Sequence, residues 1–314
     1  MINLLKKYYM VLFSVVIPVF NRDSLIQKTI DSILNQSNDN YEIIIVDDGS
    51  TDNTIDILIK YGSRIKVFTQ QNQGPGKARN LGIKNSQGEY IAFLDSDDIW
   101  FPWTLKVYEK VIRETNKPAF LAGNSIFFNN EKEIDYDQVS QLNFTAYKDF
   151  YASNKNANPF LTSSVTIRRD ILEEVGGFTD QWINSEDNDL WLRLGIAKGF
   201  VYINSPAVLA YRQHPQSAIA LTEKTYDGTC YLVKQEKQDQ YPGGKIREKE
   251  RLQILTRHIR PVSLRCLQEG EIKNAWQLYT ATFRWHLSLS RFRYLIVFLC
   301  LTLLSLIKLY NRTK

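Results

Sequence analysis

The sequence of 314 residues is poor in cysteine and contains no tract of unusual composition. Its three cysteines, Cys230, Cys266 and Cys300, are too few and too far apart for a disulfide framework, which predicts a reduced, cytosolic environment. Nine prolines and fifteen glycines are dispersed, without a repeat or a flexible linker. The net charge of +5 is modest and the basic residues are not interleaved with stacking aromatic residues, so nucleic acid is not an expected partner.

Two common nucleotide-binding signatures are also missing. The first predicted strand leads into residues 18–21 (PVFN) rather than a Gly-x-Gly-x-x-Gly turn, which argues against a dinucleotide oxidoreductase. Gly76 and Lys77 are followed by Ala78, and Gln71 occupies the position of the earlier P-loop glycine, which argues against a P-loop hydrolase. A nucleotidyltransferase would need a glycine-rich basic loop after the first strand, and the sequence has none there.

Apolar, β-branched runs alternate with helical patterns through the first hundred residues. The runs at 13–19, 41–46, 65–69 and 89–94 predict strands, and apolar residues at helical spacing separate them. This alternation predicts an α/β fold with a mostly parallel central sheet and helices on both faces. Ligands bind such sheets beyond the carboxyl ends of the strands. Those ends carry polar residues here: Asn21, Asp48, the Gly74 loop and Asp95 to Asp98.

Three carboxylates follow the fourth predicted strand within four positions, in the segment 94–98 (LDSDD). On an extended chain Asp95 and Asp97 would share one face and could bind one divalent ion. Carboxylates favour Mg²⁺ or Mn²⁺, which keep coordination positions open for substrate phosphates. The alternative is a strand followed by a helix cap, because Ser and Asp are ordinary N-cap residues.

Four segments in this order resemble the family 2 glycosyltransferases: 16–22 (VIPVFNR), 46–52 (VDDGSTD), 76–82 (GKARNLG) and 94–98 (LDSDD). The resemblance implies a GT-A type fold of two abutting halves and an inverting, hexosyltransferase-type enzyme. It also implies a nucleotide-sugar donor and a divalent metal, Mn²⁺ or Mg²⁺, held by an Asp-x-Asp motif.

The resemblance assigns a role to individual donor-side residues. Asp48 would pair with the nucleotide base, uracil, in a pocket walled by Pro18, Val19 and Asn21. Asp95 would contact the ribose or donor sugar and Asp97 would hold the metal, with Asp95 as a further ligand. Turn and capping chemistry is the alternative for the acids around Asp48. Three other residues of the matching segments are assigned to the donor: Lys77, Arg79 and Ser96.

A second informative segment, 184–194 (NSEDNDLWLRL), has the apolar spacing of an amphipathic helix with Ser185 as a plausible cap. Transfer to a hydroxyl needs a base within reach of that hydroxyl. The resemblance places the base in the Glu-Asp pair: Asp187, with Glu186 as the next choice and Asp189 as the third. The alternative is that these acids only complement the positive end of the helix dipole.

The segment 211–217 (YRQHPQS) completes the predicted site. In related family members a Tyr-Arg-x-His-x-x-Ser stretch lies over the diphosphate. The resemblance therefore makes His214 a metal ligand, and Arg212 and Ser217 phosphate contacts. An Arg fork suits phosphate oxygens better than an ammonium group does.

Both chain ends carry membrane-like signals. Lys6 and Lys7 precede an apolar run that imitates a secretory signal, but no small-residue cleavage site follows, so secretion is not expected. The apolar run 294–307 is shorter than the ~20 residues of a spanning helix. With its basic flanks, it predicts a helix lying on an anionic bilayer surface. The alternative is a helix packed on the protein itself or on a second subunit.

These patterns predict a catalytic domain over residues 12–220, divided into a nucleotide-sugar half (12–112) and an acceptor half (113–220). A helical extension (221–290) and an apolar, basic membrane-associating tail (291–314) follow. We expect a peripheral enzyme on the cytoplasmic face of the cell membrane. It would transfer a UDP-linked sugar to a glycan or lipid-linked acceptor in cell-surface polysaccharide synthesis. The alternative is a catalytically inactive sugar-nucleotide-binding or assembly subunit at the membrane.

Overall fold

The computed structural model describes residues 11–136, 140–153, 160–213 and 222–312. These residues form two compact units whose segments alternate along the chain. The first, the sheet unit, comprises residues 11–136, 140–149, 160–182 and 197–213. The second, the helical unit, comprises residues 150–153, 183–196 and 222–312.

The strands of the sheet unit are β1 (Phe13–Val19), β2 (Tyr41–Asp47), β3 (Lys66–Thr69), β4 (Tyr90–Phe93), β5 (Ile99–Trp100), β6 (Phe120–Gly123), β7 (Ser125–Phe128), β8 (Asn143–Tyr147), β9 (Val165–Arg168), β10 (Phe200–Ser205) and β11 (Leu209–Arg212). Eight of them form one sheet in the order β3-β2-β1-β4-β9-β6-β10-β8. The pairs β1/β2, β1/β4, β2/β3 and β6/β10 are parallel, whereas β9 and β8 run antiparallel to their neighbours. A small sheet holds β5, β11 and β7 in that order.

The α-helices are α1 (Ile26–Leu34), α2 (Thr54–Ile59), α3 (Pro75–Lys84), α4 (Thr104–Glu114), α5 (Phe150–Ser153), α6 (Arg169–Glu174), α7 (Glu186–Arg193), α8 (Thr222–Lys237), α9 (Glu248–Gln268), α10 (Ile272–Ser288) and α11 (Phe292–Arg312). Helices α1 to α4 and α6 belong to the sheet unit, and the others belong to the helical unit. The predicted mostly parallel sheet with helices and a C-terminal helical region is confirmed.

The core of the sheet unit is organised around β1, in which every residue is buried. Helix α1 presents Ile26, Ile30 and Ile33 to this core at three- and four-residue spacing, as an amphipathic helix must. Helix α3 approaches β1 so closely that a Cβ atom at Gly82 would lie 2.4 Å from Cγ1 of Val16. The close approach fixes where the start of α3 lies relative to the carboxyl end of β1.

The helical unit packs α9 against α8, α10 and α11. Arg251 of α9 and Glu236 of α8 form a buried ion pair with Nε–Oε2 at 2.8 Å. Helix α11 buries Tyr294, Leu295 and Phe298 and is longer than the apolar run that predicted it. Its opposite face is apolar and exposed, at Phe292, Ile296, Val297, Leu299, Leu303, Leu304, Leu306 and Ile307. Within the described ranges, no helix combines the length and apolar character needed to cross a bilayer.

Candidate active site

Asp48 follows β2 directly and anchors the loop that leads into α3. Its Oδ1 accepts hydrogen bonds from Gln70 Nε2 at 2.7 Å and the Gln73 backbone N–H at 2.9 Å. Its Oδ2 accepts from the Gly74 backbone N–H at 2.8 Å. The side chain is buried, and these bonds use three of the roughly four lone-pair positions of a carboxylate. One position is therefore left for a further donor, such as the N–H of a base.

The loop held by Asp48 is tightly packed at Gly74. This residue has a φ of +89°, in the left-handed region that favours glycine. A Cβ atom there would lie 2.8 Å from Cδ1 of Trp182, a largely exposed side chain of the sheet unit. Trp182 is thus an aromatic neighbour of the predicted donor loop that the motif comparison did not include.

The loop after β1 binds the loop after β2. The Asn21 backbone N–H donates to Ser50 Oγ at 2.9 Å, and Asn21 Oδ1 accepts from the Thr51 N–H at 2.8 Å. Asn21 itself has a φ of +50°, which an Asn tolerates better than most residues. Pro18 and Val19 precede it as buried residues of β1. Asn21 therefore links the two loops. Pro18 and Val19 lie in the core at the end of the same strand.

The acidic segment after β4 forms a turn, closed by a hydrogen bond from Asp98 N–H to the Asp95 carbonyl at 3.2 Å. The extended geometry used to place Asp95 and Asp97 on one face is therefore wrong. The cause is Asp98, whose buried carboxylate accepts from Ser163 Oγ at 2.6 Å and from the Arg212 backbone N–H at 3.1 Å. These bonds turn the chain towards β5. Ser96, inside the turn, is buried.

Negative charge is concentrated in this turn. Burial raises the pKa of Asp98 well above its ordinary value, and the carboxylates of Asp95 and Asp97 raise it further. Asp98 was not among the predicted site residues, although it belongs to the same run of acids. The hydrogen bonds of Asp98 join the turn to Ser163 and β11. The buried Asp98 therefore holds Asp95 and Asp97 in position.

Each of the two predicted metal-binding carboxylates contacts an arginine. Asp95 Oδ1 lies 2.7 Å from Nη2 of the buried Arg79, and Asp97 Oδ2 lies 3.3 Å from Nε of Arg22. Arg22 follows Asn21, so its ion pair ties the loop after β1 to the acidic turn. Arg79 was predicted to bind the donor, and in the structure its guanidinium group contacts Asp95. Lys77 contacts Gln73 Oε1 at 3.3 Å, on the exposed side of α3.

Arg212, at the end of β11, also reaches the acidic turn. Its Nε donates to the Asp97 carbonyl at 2.9 Å and its Nη2 lies 2.9 Å from Glu131 Oε1. The predicted phosphate contact is thus adjacent to the acidic turn. The other two predicted residues of this segment, His214 and Ser217, lie outside the described residues. Among the residues that are described, no group of three or more His, Cys, Asp or Glu side chains could hold a metal.

In the helical unit, Glu186 and Asp187 occupy the first turn of α7. Asp187 Oδ1 accepts from the Asn188 N–H at 2.6 Å and from Asn188 Nδ2 at 2.9 Å. Asp189 is buried and accepts from Tyr241 Oη at 3.1 Å and from Arg193 Nε at 2.8 Å. Asp189 therefore has a structural role, and Glu186 and Asp187 are the more accessible acids in the first turn of α7.

Ser185 precedes α7 but does not cap it by a side-chain hydrogen bond, contrary to our expectation. Its φ of +92° is unusual for a serine, and its Oγ lies 3.0 Å from Nε2 of His258 in α9. Burial lowers the pKa of His258, whereas the charge of Asp187 acts in the opposite direction. Ser185 and His258 thus connect the beginning of α7 to α9.

The sequence matches the description "Glycosyl transferase family 2" over residues 14–176. It is 47% identical to an uncharacterized glycosyltransferase of Rickettsia bellii over 105 residues, which are 33% of this chain and 15% of the relative. It is 30% identical to one of Rickettsia typhi over 214 residues, 66% of this chain and 65% of the relative. The chain spans only 15 to 17% of the length of three of its Rickettsia relatives.

Solved structures share the fold. Residues 1–349 of S. aureus TarS in complex with UDP superpose with a TM-score of 0.60 at 22% identity, covering 79% of this chain and 71% of that one. The complex of the same TarS fragment with UDP-GlcNAc gives 0.58 at 19% identity, covering 87% and 91%. Mannosyltransferase PcManGT of Pyrobaculum calidifontis, in complex with GDP-Man and Mn²⁺, gives 0.52 at 16% identity, covering 93% and 86%.

The family match covers more than half of the chain and includes the loop after β1, the Asp48 loop, the start of α3 and the acidic turn. The chain belongs to glycosyl transferase family 2.

Proposed function

We propose that the protein is an inverting glycosyltransferase that moves a sugar from a nucleotide diphosphate sugar, with uridine as its nucleoside, to a hydroxyl group of a glycan or lipid-linked acceptor. One observation carries the proposal. Asp48 and the turn 95–98 follow β2 and β4, the two parallel neighbours of β1, and Arg22 ties the loop between them to Asp97. The residues that we propose to bind the donor therefore lie at the strand ends where such sheets bind ligands.

At this edge of the sheet, the nucleotide base of the donor would bind to Asp48. Asp48 has one lone-pair position left to accept the N3–H of uracil, and its three other bonds fix its orientation. Pro18, Val19 and Asn21 would wall the base pocket. Asp95, Ser96 and Arg79 would position the ribose or the sugar, Arg79 acting through its ion pair with Asp95. The diphosphate would be contacted by three side chains: Lys77, Arg212 and Ser217.

Carboxylates such as those of Asp95 and Asp97 have the ligand chemistry that a hard divalent cation, Mn²⁺ or Mg²⁺, prefers. Asp95, Asp97 and Asp98 lie within four positions, and their mutual repulsion contributes to the raised pKa of Asp98. Asp97 would hold the metal, with Asp95 and His214 as further ligands, and donor phosphates would complete the coordination. When bound, the metal would neutralise charge on the departing diphosphate. The arginines paired with Asp95 and Asp97 keep both carboxylates in place before binding.

Asp187 would accept the proton of the acceptor hydroxyl as that oxygen attacks the anomeric carbon. Its two bonds from Asn188 hold one carboxylate oxygen in a defined orientation. Removal of the proton makes the hydroxyl oxygen a stronger nucleophile. Attack opposite to the leaving diphosphate inverts the anomeric centre, so an α-linked donor gives a β-linked product. Glu186 is the alternative base.

We further propose that residues 12–220 carry the catalytic functions, that 221–290 form an extension and that the tail 291–314 attaches the protein to the cytoplasmic face of the membrane. The exposed apolar face of α11 and the basic residues Arg291 and Arg293 beside it support attachment. Deleting α11 would also remove the buried Tyr294, Leu295 and Phe298 and expose the core residues that they cover. A sharper test is Ile296→Ser/Leu303→Ser/Leu304→Ser, with the equally exposed Ile59→Ser of α2 as the control.

In cosedimentation with anionic vesicles, the triple variant should remain in the supernatant, and Ile59→Ser should pellet as the wild-type protein does. Equal pelleting of the triple variant would exclude α11 as the attachment surface. A role in cell-surface polysaccharide synthesis is proposed with this attachment, because such acceptors are carried on membranes.

The proposed reaction is tested by incubating the protein with a panel of nucleotide sugars and Mn²⁺ and measuring nucleotide release. We expect release from one UDP-sugar, and its loss in Asp97→Asn. Release that persists in Asp97→Asn would refute the assignment of the acidic turn. No release from any UDP-sugar, with or without a glycan or lipid-linked acceptor, would refute the proposed donor.

A further inference from the structure

A cavity of about 410 Å³ lies in the helical unit, between α9 and the turn that joins α10 to α11. We call it the α9 cavity. Four of its eight lining residues carry a positive charge, and none carries a negative one. The lining residues are Lys249, Gln253, Arg257, Arg260, Ser288, Leu289, Ser290 and Arg291.

The charges in the α9 cavity repel one another. Burial lowers the pKa of both Arg257 and Arg260, and for each of them the charge of Arg291 is the next cause. Within the described part of the chain, no carboxylate pairs with Arg260 or Arg291. Partly buried cations without a carboxylate partner, such as Arg260 and Arg291, destabilise a fold unless an anion offsets their charge.

Polar atoms in and beside the cavity also lack partners. The Nε of Arg291 is buried without a hydrogen-bond acceptor in the described structure, and the buried Gln253 leaves its Oε1 without a donor. His286, one turn before Arg291, is buried with neither ring nitrogen hydrogen-bonded to a described residue. Buried polar groups are usually satisfied, so these atoms indicate a polar occupant of the cavity.

We infer that the α9 cavity binds a phosphate-bearing anion, a phosphate monoester or a diphosphate. Guanidinium groups present paired N–H donors that match phosphate oxygens, and a doubly charged anion would offset the charges of Arg260 and Arg291. Hydroxyl groups of Ser288 and Ser290 could donate to the remaining oxygens. This site is separate from the proposed transferase chemistry, and its existence does not depend on that proposal.

The position of the cavity favours a phosphate carried by a lipid. The exposed apolar face of α11 begins at Phe292, immediately after Arg291. An anionic headgroup held by the arginines would thus be followed by an apolar surface suited to acyl chains. A soluble phosphate compound shares the same chemistry, and the experiment below distinguishes the two sources.

The binding test uses the full chain and pyrophosphate in EDTA, so that no divalent metal supports pyrophosphate at the acidic turn. The variant is Arg260→Gln/Arg291→Gln, and the control is Lys273→Gln, an exposed cation near the start of α10. In phosphate-free buffer the double variant should unfold at the same or a higher temperature than wild type, because repulsion is removed. A merely structural role for these arginines predicts the opposite.

Pyrophosphate should raise the unfolding temperature of wild type and Lys273→Gln, and by calorimetry the double variant should bind at least about tenfold more weakly. Should the double variant fail to fold by circular dichroism, Arg291→Gln alone is compared in the same way. An equal shift in wild type and variant, or no shift in either, would overturn the inference.

Binding of pyrophosphate also has a local signature. Burial, then the charges of Arg260 and Arg291, lower the pKa of His286 to about 4. An anion beside these arginines should raise this pKa, which NMR of the imidazole resonances can follow. An unchanged His286 titration at saturating pyrophosphate would place the anion elsewhere and overturn the assignment to the α9 cavity.

The source of the phosphate is tested with vesicles of phosphatidylcholine containing phosphatidic acid. If a lipid supplies it, the double variant should lose cosedimentation with these vesicles whereas Lys273→Gln keeps it. If wild type binds pyrophosphate but both variants pellet equally, the cavity binds a soluble phosphate. If the wild-type protein binds neither pyrophosphate nor these vesicles, the proposed site is refuted.

Discussion

Asp48→Asn is the substitution for which the structure makes the sharpest prediction. It keeps the size of the side chain and replaces one carboxylate oxygen with an NH₂ group. Both oxygens of Asp48 accept hydrogen bonds from N–H donors of the loop 70–74. Whichever way the new amide is oriented, its NH₂ group faces at least one of these donors.

The magnitude follows from counting these bonds. A buried N–H that loses its acceptor costs about 1–3 kcal/mol, and the bonds that remain lose the assistance of the negative charge, about 0.5–1 kcal/mol each. With one bond lost and two weakened, we expect Asp48→Asn to lower the free energy of unfolding of the sheet unit by about 2–5 kcal/mol. The loop that leads into α3 should loosen with it, because Asp48 is the acceptor for both Gln73 and Gly74.

Asp47→Asn is the matched control, because the neighbouring aspartate is also buried but is bonded differently. Its Oδ2 accepts from the Gly49 and Ser50 N–H groups, whereas its Oδ1 has no partner among the described residues. An NH₂ group at the Oδ1 position faces no donor, so only the two bonds to Oδ2 weaken, and we expect a smaller loss of about 1–2 kcal/mol.

Urea denaturation of both variants, followed by tryptophan fluorescence and circular dichroism, gives the two free energies. Binding of UDP, measured by calorimetry, gives a second readout. Asp48→Asn should weaken UDP binding at least about tenfold, which corresponds to about 1.4 kcal/mol. Equal destabilisation by Asp47→Asn and Asp48→Asn, with unchanged UDP affinity in both, would refute the reasoning about the donor loop.

Three further predictions concern the metal, the buried histidine and the buried ion pair. EDTA should abolish nucleotide release and added Mn²⁺ should restore it, whereas activity that survives EDTA would exclude the metal role of Asp97. The folded-state pKa of His286 is lowered to about 4, below its unfolded value of about 6.5, so the unfolded chain takes up this proton first as the pH falls. The free energy of unfolding should therefore decrease by about 3 kcal/mol between pH 6.5 and pH 4 because of this group. In denaturation curves recorded at several pH values without phosphate, His286→Phe should show a weaker pH dependence over this range. An unchanged pH dependence in His286→Phe would contradict the prediction. Arg251→Met should destabilise the helical unit by about 3–5 kcal/mol in urea denaturation, because the carboxylate of Glu236 stays buried without its partner. The double variant Arg251→Met/Glu236→Leu should recover much of this loss. A double variant that is no more stable than Arg251→Met would contradict the importance of the ion pair.

The sheet and its first three helices could be predicted from the sequence because their signals are local. Apolar runs such as Phe13–Val19 are buried along their whole length, and the spacing of Ile26, Ile30 and Ile33 is the spacing of one helix face. The position of polar residues at strand ends follows from the parallel arrangement, so Asp48 and the acidic turn were predicted at the same sheet edge.

The contacts that orient the site could not be predicted in this way. Extended geometry was wrong for Asp95 and Asp97, because the turn depends on bonds from Asp98 to Ser163 and Arg212, which are 65 and 114 positions away. The ion pairs of Arg22 and Arg79 likewise join segments far apart in sequence. We expected Ser185 to cap α7, but its hydroxyl hydrogen-bonds to His258.

The α9 cavity could not be predicted from the sequence either. Its four cations are spread between positions 249 and 291, in sequence that reads as ordinary helix, and no motif marks them. Only the packing of α9 against the turn after α10 brings these charges together. The burial of Tyr294, Leu295 and Phe298 on one face of α11 also depends on tertiary packing.

The central claim is that Asp187 takes the proton of the acceptor hydroxyl, whereas other residues bind the donor. The most direct measurement compares Asp187→Asn with wild type in two assays on the same UDP-sugar, affinity by calorimetry and transfer by product formation with Mn²⁺. We predict donor affinity within about threefold of wild type and turnover reduced at least about a hundredfold. Turnover retained in Asp187→Asn and lost in Glu186→Gln would move the base to Glu186, and turnover retained in both variants would contradict the account.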